Sequence, residues 1–578
     1  MTSNAAATPT APAPAPTASG PAAPGPSRRS FLASTAVATA AVAGGLPLLA
    51  GCGDADSGSR DGTTSDKDAK KLLPAYVAHN VVSPDIPARN GSSVGFTSRL
   101  AVADLKTSVP KKLGKGGKVT IMSPFWGTPP KGDNAYYRAM NDLIGVDVAW
   151  ENQDGNTYDQ KLGAVLASSD IPDVVVVPSW NLTGKIPSAV IGKFADLGPY
   201  LSGDKVEEYP NLAAIPTDAW QRSIFGGKLR GLPQPAPYVT GIVPLYREDI
   251  FAKEGYDVPT SAADFLALAK EATSAKAKRW FCQDMKWTAF NSFGVLSGSE
   301  KPLGWNLVDG KLVYRIETDA YLEALEWTRK LFAAGVVHPD ARLGKSSATD
   351  PGPKFAAGEF LVYNQNISQW YSRTAEQATQ NPDFACGGMD IFGHDGGDPH
   401  LWAEEPAGIF AFVNKKASSS VIRDVLAVAN TTAAPYGTKE YMLTNYGVEG
   451  THYTVKNGVP VKNDKGNQEV INAYVMVASP AATTAHPDFP DVAKDQVEWQ
   501  QRMGAHTKKS SFWGMTITEP SRWTNLSNDF EQLEDDIVRG RKKIGDMQQA
   551  VADWKSKGGD KLRDWYKKIL DENGTAAD

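Results

Sequence analysis

The sequence predicts an α/β protein of two lobes, each an open sheet flanked by helices, with a helical C-terminal part. Three observations carry that expectation. Short β-branched runs alternate with segments of helical period from Lys118 to Val177. A second alternation begins near Ile242, after a proline-interrupted stretch. The chain has 578 residues, 41% of them hydrophobic, enough for a large buried core and too long for one ordinary domain.

The first fifty residues read as an address. Residues 2–26 are almost entirely Ala, Pro, Thr, Ser and Gly, a composition that cannot pack. Arg28 and Arg29 then precede an uncharged, Ala-rich run from Phe31 to Ala50 that leads into Gly51 and Cys52. This resembles a twin-arginine export signal joined to a bacterial lipobox, with cleavage before Cys52 and acylation of that cysteine. A transmembrane anchor is the alternative, but Ala, Gly and Thr make the run weakly hydrophobic for a stable span. Residues 1–51 are therefore expected to be a lipoprotein signal with a disordered extension, 52–71 a flexible tether and 72–116 a lead-in segment. No later stretch approaches the roughly 18 consecutive apolar residues of a membrane span. The rest of the chain should be soluble, held at the extracellular face of a bacterial membrane through Cys52.

From Lys118 the elements follow in order. Val119 to Met122 is a short apolar strand, Asn134 to Leu143 is helical in period, and Val146 to Trp150 is a second strand. Thr157 to Ser168 places Tyr158, Leu162, Val165 and Leu166 on one helical face, and Asp173 to Val177 reads as a buried parallel strand. This is βαβαβ, hence a doubly wound sheet whose ligands bind beyond the carboxyl ends of the strands, at the loops 123–130 and 178–182. Phe225 to Leu232 looks like a hairpin, and Pro235 to Thr240 a connection between lobes, because prolines forbid helix and disfavour interior strand. Beyond it come a strand from Ile242 to Tyr246, a helix from Asp249 to Glu254, and a helix from Ser261 to Thr273 with Ser261 as N-cap. Thr318 to Ala334 is a helix closed by Gly335. Phe530 to Ile537 and Val551 to Leu570 alternate charge and apolarity as surface helices do. The lobes are expected at 117–238, completed by about 385–440, and at 239–384, completed by about 441–578.

Composition excludes several function classes. Sixty Lys and Arg stand against 65 Asp and Glu, a net charge of −5, so no whole-molecule basic field exists for nucleic acid. Three cysteines exclude a disulfide-built scaffold, and seven histidines without HExxH or paired CxxC spacing argue against a zinc site. Cys282 and Cys386 either pair in an oxidising compartment or remain two buried thiols. The His394 to His400 loop mixes ligand types at a spacing that fits no metal cage. Glu404 and Glu405 are adjacent and point apart, unlike a glycosidase pair. Gly114 to Lys118 precedes its strand and so is no phosphate loop.

The order of motifs resembles family 1 extracellular solute-binding proteins, the carbohydrate-type receptors of ABC importers. Ile171 to Trp180 is similar to the family's PDVV strand with an aromatic after it. Gly231-Leu232-Pro233 through Leu245 to Phe251 and Gly255 to Pro259 is similar to its GLP…YRKDLFEKLGLDVP passage. Leu325 to Pro339, Phe355 to Trp370, Tyr446 to Thr454 and Trp554 to Asp560 resemble further family segments, the last two those of its large oligosaccharide-binding lipoprotein branch. The resemblance implies a two-lobed, periplasmic-binding-protein-like (type II) fold closing on its ligand, lipid anchoring, no catalysis, no cofactor, and delivery to permease subunits with a cytoplasmic ATPase. A monomer is expected. The calcium loop of some large-branch members is not carried over, because Ser274 to Trp280 lacks its acidic residues.

Sugar recognition needs rings for the apolar face of a pyranose and planar polar groups for its hydroxyls. Trp126 and Trp180, on the ligand-side loops, are the first candidates. Trp370 fits the family's aromatic position, and Asn364 lies on the same stretch. Tyr238 comes from the connecting segment, and Trp287, Trp402 and Glu405 from loops rich in Gly and Pro. Trp327 and Trp554 lie on predicted helices and are assigned to packing. The competing readings are a peptide receptor of the same architecture, which needs a fixed charge pair for the termini, and a secreted glycoside-active enzyme, which needs turnover.

Overall fold

The computed structural model describes residues 66–573, apart from 80, 99, 100, 240, 297–303, 347–350, 516, 518, 521, 524 and 528. Arg28, Arg29 and Cys52 lie outside the described residues, and with them the export signal and lipidation site. The end of the expected tether, from Asp66, is helical. Asp66–Leu72 is a helix whose Ala69 is buried in the first core, because Leu72 and Leu73 supply an apolar side for it to bury.

Nine strands among the described residues build the two main sheets. They are β1 Lys118–Phe125, β2 Asp147–Asp154, β3 Val174–Pro178, β4 Gly231–Pro235, β5 Val243–Tyr246, β6 Trp280–Cys282, β7 Phe360–Gln365, β8 Gly387–Gly388 and β9 Ala407–Val413. The first sheet has the order β2-β1-β3-β9-β4, the second β8-β5-β7-β6. The predicted βαβαβ unit forms as read. Asn134 caps Ala135–Ile144 by accepting the Tyr137 N–H at 3.0 Å, and β3 is buried at every residue, as a strand covered on both faces must be.

Each sheet also holds one strand running against its neighbours. β9 is antiparallel to β3 and β4, and β5 is antiparallel to β7 and β8. Both follow immediately after the chain has crossed from the other sheet, at 236–242 and at 389–406. A third crossing, at 479–489, leads to the helix Pro490–Gly504. The crossings move the expected lobe completions. Gly387–Gly388 pairs with β5 in the second sheet, and the first core keeps the chain from β9 through Ile471 to Ala478. Residues 385–392 therefore do not complete the first lobe, and residues up to 478 do, because β9 can enter only after the return crossing.

The C-terminal helices close the second core. Val551 to Leu570 is two helices, Ile544–Trp554 and Asp560–Asn573, joined through a kink at Gly558 with φ 137°. Trp554 and Tyr566 are buried with Trp305 beneath them, so these helices build core rather than only covering it. Cys282 and Cys386 are free and buried, and burial pushes both thiols up. Cys282 ends β6 while Cys386 adjoins β8, three strand spacings or about 14 Å away, so no disulfide can join them.

The lead-in behaves as a strap across both lobes. It is fixed to the first lobe where Ala75 N–H donates to Gly203 O at 3.1 Å and Val77 N–H to Ala213 O at 2.9 Å. Val94–Phe96 pairs in parallel with Thr483–Ala485 of the third crossing. Gly91 O accepts from Tyr238 N–H of the first crossing at 2.9 Å, and Ser93 N–H donates to Gln500 Oε1 at 3.0 Å. Ser108 and Val109 N–H then return to the buried Glu440 carboxylate of the first lobe.

The third crossing carries His486, stacked on Tyr371 with centroids 4.0 Å apart and rings inclined by 6°. Its Nε2 meets Gln496 Oε1 at 2.9 Å, and Tyr371 donates to Asp488 at 3.1 Å. Burial holds the imidazole below its usual 6.5 despite Asp488 nearby. Between that lowered value and about 6.5 the unfolded chain binds the extra proton, so stability is fully present above about pH 6.5 and falls below it. Urea unfolding at about pH 7.5 and about pH 5.5 should show a loss on acidification of up to about 1.4 kcal/mol per pH unit from this group, smaller in His486→Gln.

Candidate functional site

The topology turns the candidate residues toward one gap. β4 runs parallel to β1 and β3, so Pro235, where the chain leaves for the second sheet, lies at the same end as the loops carrying Trp126 and Trp180. In the second sheet, Val243, the first residue of β5, pairs with Gln365, the last of β7, and β6 ends on the same side. Asn364 and the segment 283–288, which leads into the helix Lys286–Ser292, therefore face the crossing from the other lobe. The crossings form the floor, with Ala407 opposite Pro235.

Trp126 and Trp180 are among the most exposed large apolar side chains, at 44% and 47%, with ring centroids 6.4 Å apart and tilted by 50°. Two neighbouring exposed rings form an apolar patch of the kind that marks a binding surface. The Trp126 ring rests on Gly155: a Cβ there would lie 2.4 Å from Cε2. Gly155→Ala should therefore leave the unfolding free energy within about 0.5 kcal/mol and displace the ring. Titration with a bound glycan should show about tenfold weaker affinity.

On the second lobe, Trp287 is half-buried against Phe290 at 5.5 Å, with Lys286 Nζ 5.6 Å from its ring. It lies on the helix Lys286–Ser292 rather than in the expected loop, and the start of that helix is pinned from below. Lys286 Nζ lies 3.0 Å from both Glu534 and Asp535, and Tyr321 donates to Glu534 at 2.7 Å. Burial pulls the Lys286 ammonium down, but these carboxylates outweigh it and its pKa is raised. Asn364 accepts the Thr288 hydroxyl and donates to Asp284 O at 3.1 Å, so its amide ties the entry of this helix to β7.

In the floor, Tyr238 donates to Asp218 at 3.2 Å and packs edge-on against Trp513 at 5.2 Å, and its phenol is pushed up to about 12 by burial and by Asp218. Trp402 is half-buried, with Nε1 donating to Gly294 O at 2.9 Å. Two candidates belong to packing instead. Trp370 is 5% exposed on the helix Ser368–Gln377, in a core with Tyr363, Cys386 and Trp499, because the helix turns its ring back onto the sheet. Glu405 is 8% exposed and ion-paired to Arg222 at 2.8 Å, while Arg222 donates to Met515 O across the gap at 2.8 Å. Sequence reasoning missed Arg222, Asp218 and Trp513. The Lys509–Trp513 spacing, which sets Nζ 4.1 Å from the ring, was a legible cation–π signal for the last. Among the described residues no cluster of three or more His, Cys, Asp or Glu could hold a metal, and no helix is long and apolar enough to cross a membrane.

Two α/β lobes joined by three crossings define a fold of the periplasmic-binding-protein type II class. The family profile of bacterial extracellular solute-binding proteins matches residues 135–442, more than half of the chain, and the protein belongs to that family. Lipoprotein LipO of Bacillus subtilis is 23% identical over 479 residues, covering 78% of this chain and 91% of its own. The alginate-binding protein AlgQ2 superposes with a TM-score of 0.59 at 15% identity, over 79% of this chain and 98% of its own. FusA of S. pneumoniae, an ABC-transporter substrate-binding protein solved with kestose, gives 0.58 at 13%, over 79% and 99%.

Proposed function

We propose that the protein is an extracellular, lipid-anchored receptor of an ABC importer, exported by the twin-arginine route and acylated at Cys52. It captures a sugar or oligosaccharide between its lobes by hinge closure and hands it to permease subunits served by a cytoplasmic ATPase. It acts as a monomer, without catalysis or cofactor. The observation that carries this reading is the exposed Trp126 and Trp180 pair at the interlobe end of the first sheet. Stacked rings suit the CH face of a pyranose, whereas a peptide would call for paired charges. The ligands named for AlgQ2 and FusA, alginate and kestose, are of the same chemical kind. Three crossings supply the hinge, and a ligand touching both lobes shifts the ensemble toward the closed form.

The test is thermal unfolding of the chain from residue 53 onward across a panel of neutral and uronic oligosaccharides, with a reducing-end assay on the same samples. A ligand at about a hundred times its Kd stabilises the folded state by roughly 2.7 kcal/mol. A shift without turnover supports the receptor. Absence of any shift removes the sugar reading, and turnover makes the protein an enzyme.

A further inference from the structure

Trp126 also lines a second depression, of which Trp180 is no part. This groove of about 610 Å³ runs between the turn 127–134 and the segment 467–471. Both walls are built rather than loose. Pro129 and Pro130 stiffen the turn, and Asn134 ties it by accepting the Tyr137 N–H at 3.0 Å and donating to Lys131 O at 3.3 Å. Opposite, Asn463 caps the short helix Asp464–Glu469 that presents Asn467, Gln468 and Glu469.

The Glu469 carboxylate is held in place by a histidine with no exposed surface. His452 Nδ1 accepts the Val448 N–H at 2.9 Å, so the proton of the neutral ring sits on Nε2 and donates to Glu469 Oε2 at 3.0 Å. Glu469 Oε1 has Lys465 no closer than 3.9 Å. Groove and platform therefore share one ring. Beyond it stand an oriented carboxylate, two exposed planar amides and the Lys131 ammonium.

We infer that this groove is an extension subsite, in which a neutral oligosaccharide lying on Trp126 continues past the platform and gives its further hydroxyls to Gln468, Asn467 and Glu469. The inference rests on the receptor reading and deepens it: the ligand is a chain of several sugars rather than a mono- or disaccharide. Fixed acceptors and donors of both signs suit hydroxyls, and the Glu469 carboxylate disfavours a polyuronate.

The experiment is calorimetric titration of malto-, manno- and fructo-oligosaccharide ladders from disaccharide to hexasaccharide, with an oligouronate ladder alongside. The wild type is compared with Gln468→Ala, Lys131→Ala and Glu469→Gln. The first two alter exposed side chains, so they keep the test sound should the third disturb His452. The expected result is affinity that rises with length on one neutral ladder. Each variant should lose about tenfold on the longer members and nothing on the disaccharide, the fold-change of one good hydrogen bond. Losses equal at all lengths, no losses, or preference for the uronate ladder would overturn the subsite while leaving a receptor that binds sugar. No binding by the wild type on any ladder would overturn the receptor reading, and the subsite with it.

Discussion

Replacing Trp126 and Trp180 together by alanine should abolish measurable glycan binding while leaving the protein as stable as the parent. Each ring is nearly half exposed, so little packing is lost, and exposed substitutions of this kind stay within about 0.5 kcal/mol. Against ligand the expectation is different. A central aromatic anchor is worth about 2 kcal/mol or more, roughly thirtyfold in Kd, and the pair should lose about a thousandfold if the terms add. Isothermal titration and urea unfolding of the same samples separate the two effects. An affinity within threefold of the parent would remove the platform from the site, and with it the main support for a sugar ligand.

Glu405→Ala should act the other way, costing stability first. Its carboxylate and the Arg222 guanidinium are 6% and 4% exposed and 2.8 Å apart. Removing one partner leaves a charge in a low dielectric, which costs about 3–5 kcal/mol, whereas replacing both by apolar groups of like volume is close to neutral. The double variant Arg222→Met, Glu405→Leu should therefore recover most of what Glu405→Ala loses in urea unfolding. Loss of glycan affinity in Glu405→Gln at unchanged stability would instead return this residue to the ligand.

Much of the first lobe was legible because local rules decide it. The alternation of β1, β2 and β3 with two amphipathic helices appears in hydrophobic period alone, and with it the placement of Trp126 and Trp180 at the strand carboxyl ends. The long-range parts were not legible. Nothing near β9 or β5 says that they run against their neighbours, since both are set by crossings that only the whole topology defines. The same holds for the site. Glu405 looked like a hydroxyl partner because Arg222 lies far away in sequence. Trp370 fits the family's aromatic position, and the turn of its helix onto Gly388 and Trp499, which buries it, has no local signature. Gly155, on which Trp126 rests, carries no sequence signal at all.

The strap has a mechanical consequence. Coming from the N-terminus, the chain meets the first lobe before it meets the hinge: Gly203 and Ala213 grip it at Ala75 and Val77, ahead of the contacts of Gly91 and Ser93 with the crossings. For a chain tethered at Cys52, as proposed above, a pull from the N-terminal side would reach the first lobe before the crossings. Under that proposal the lobe with Trp126 and Trp180 would be the held jaw, and the lobe bearing Trp287 the one left free to swing.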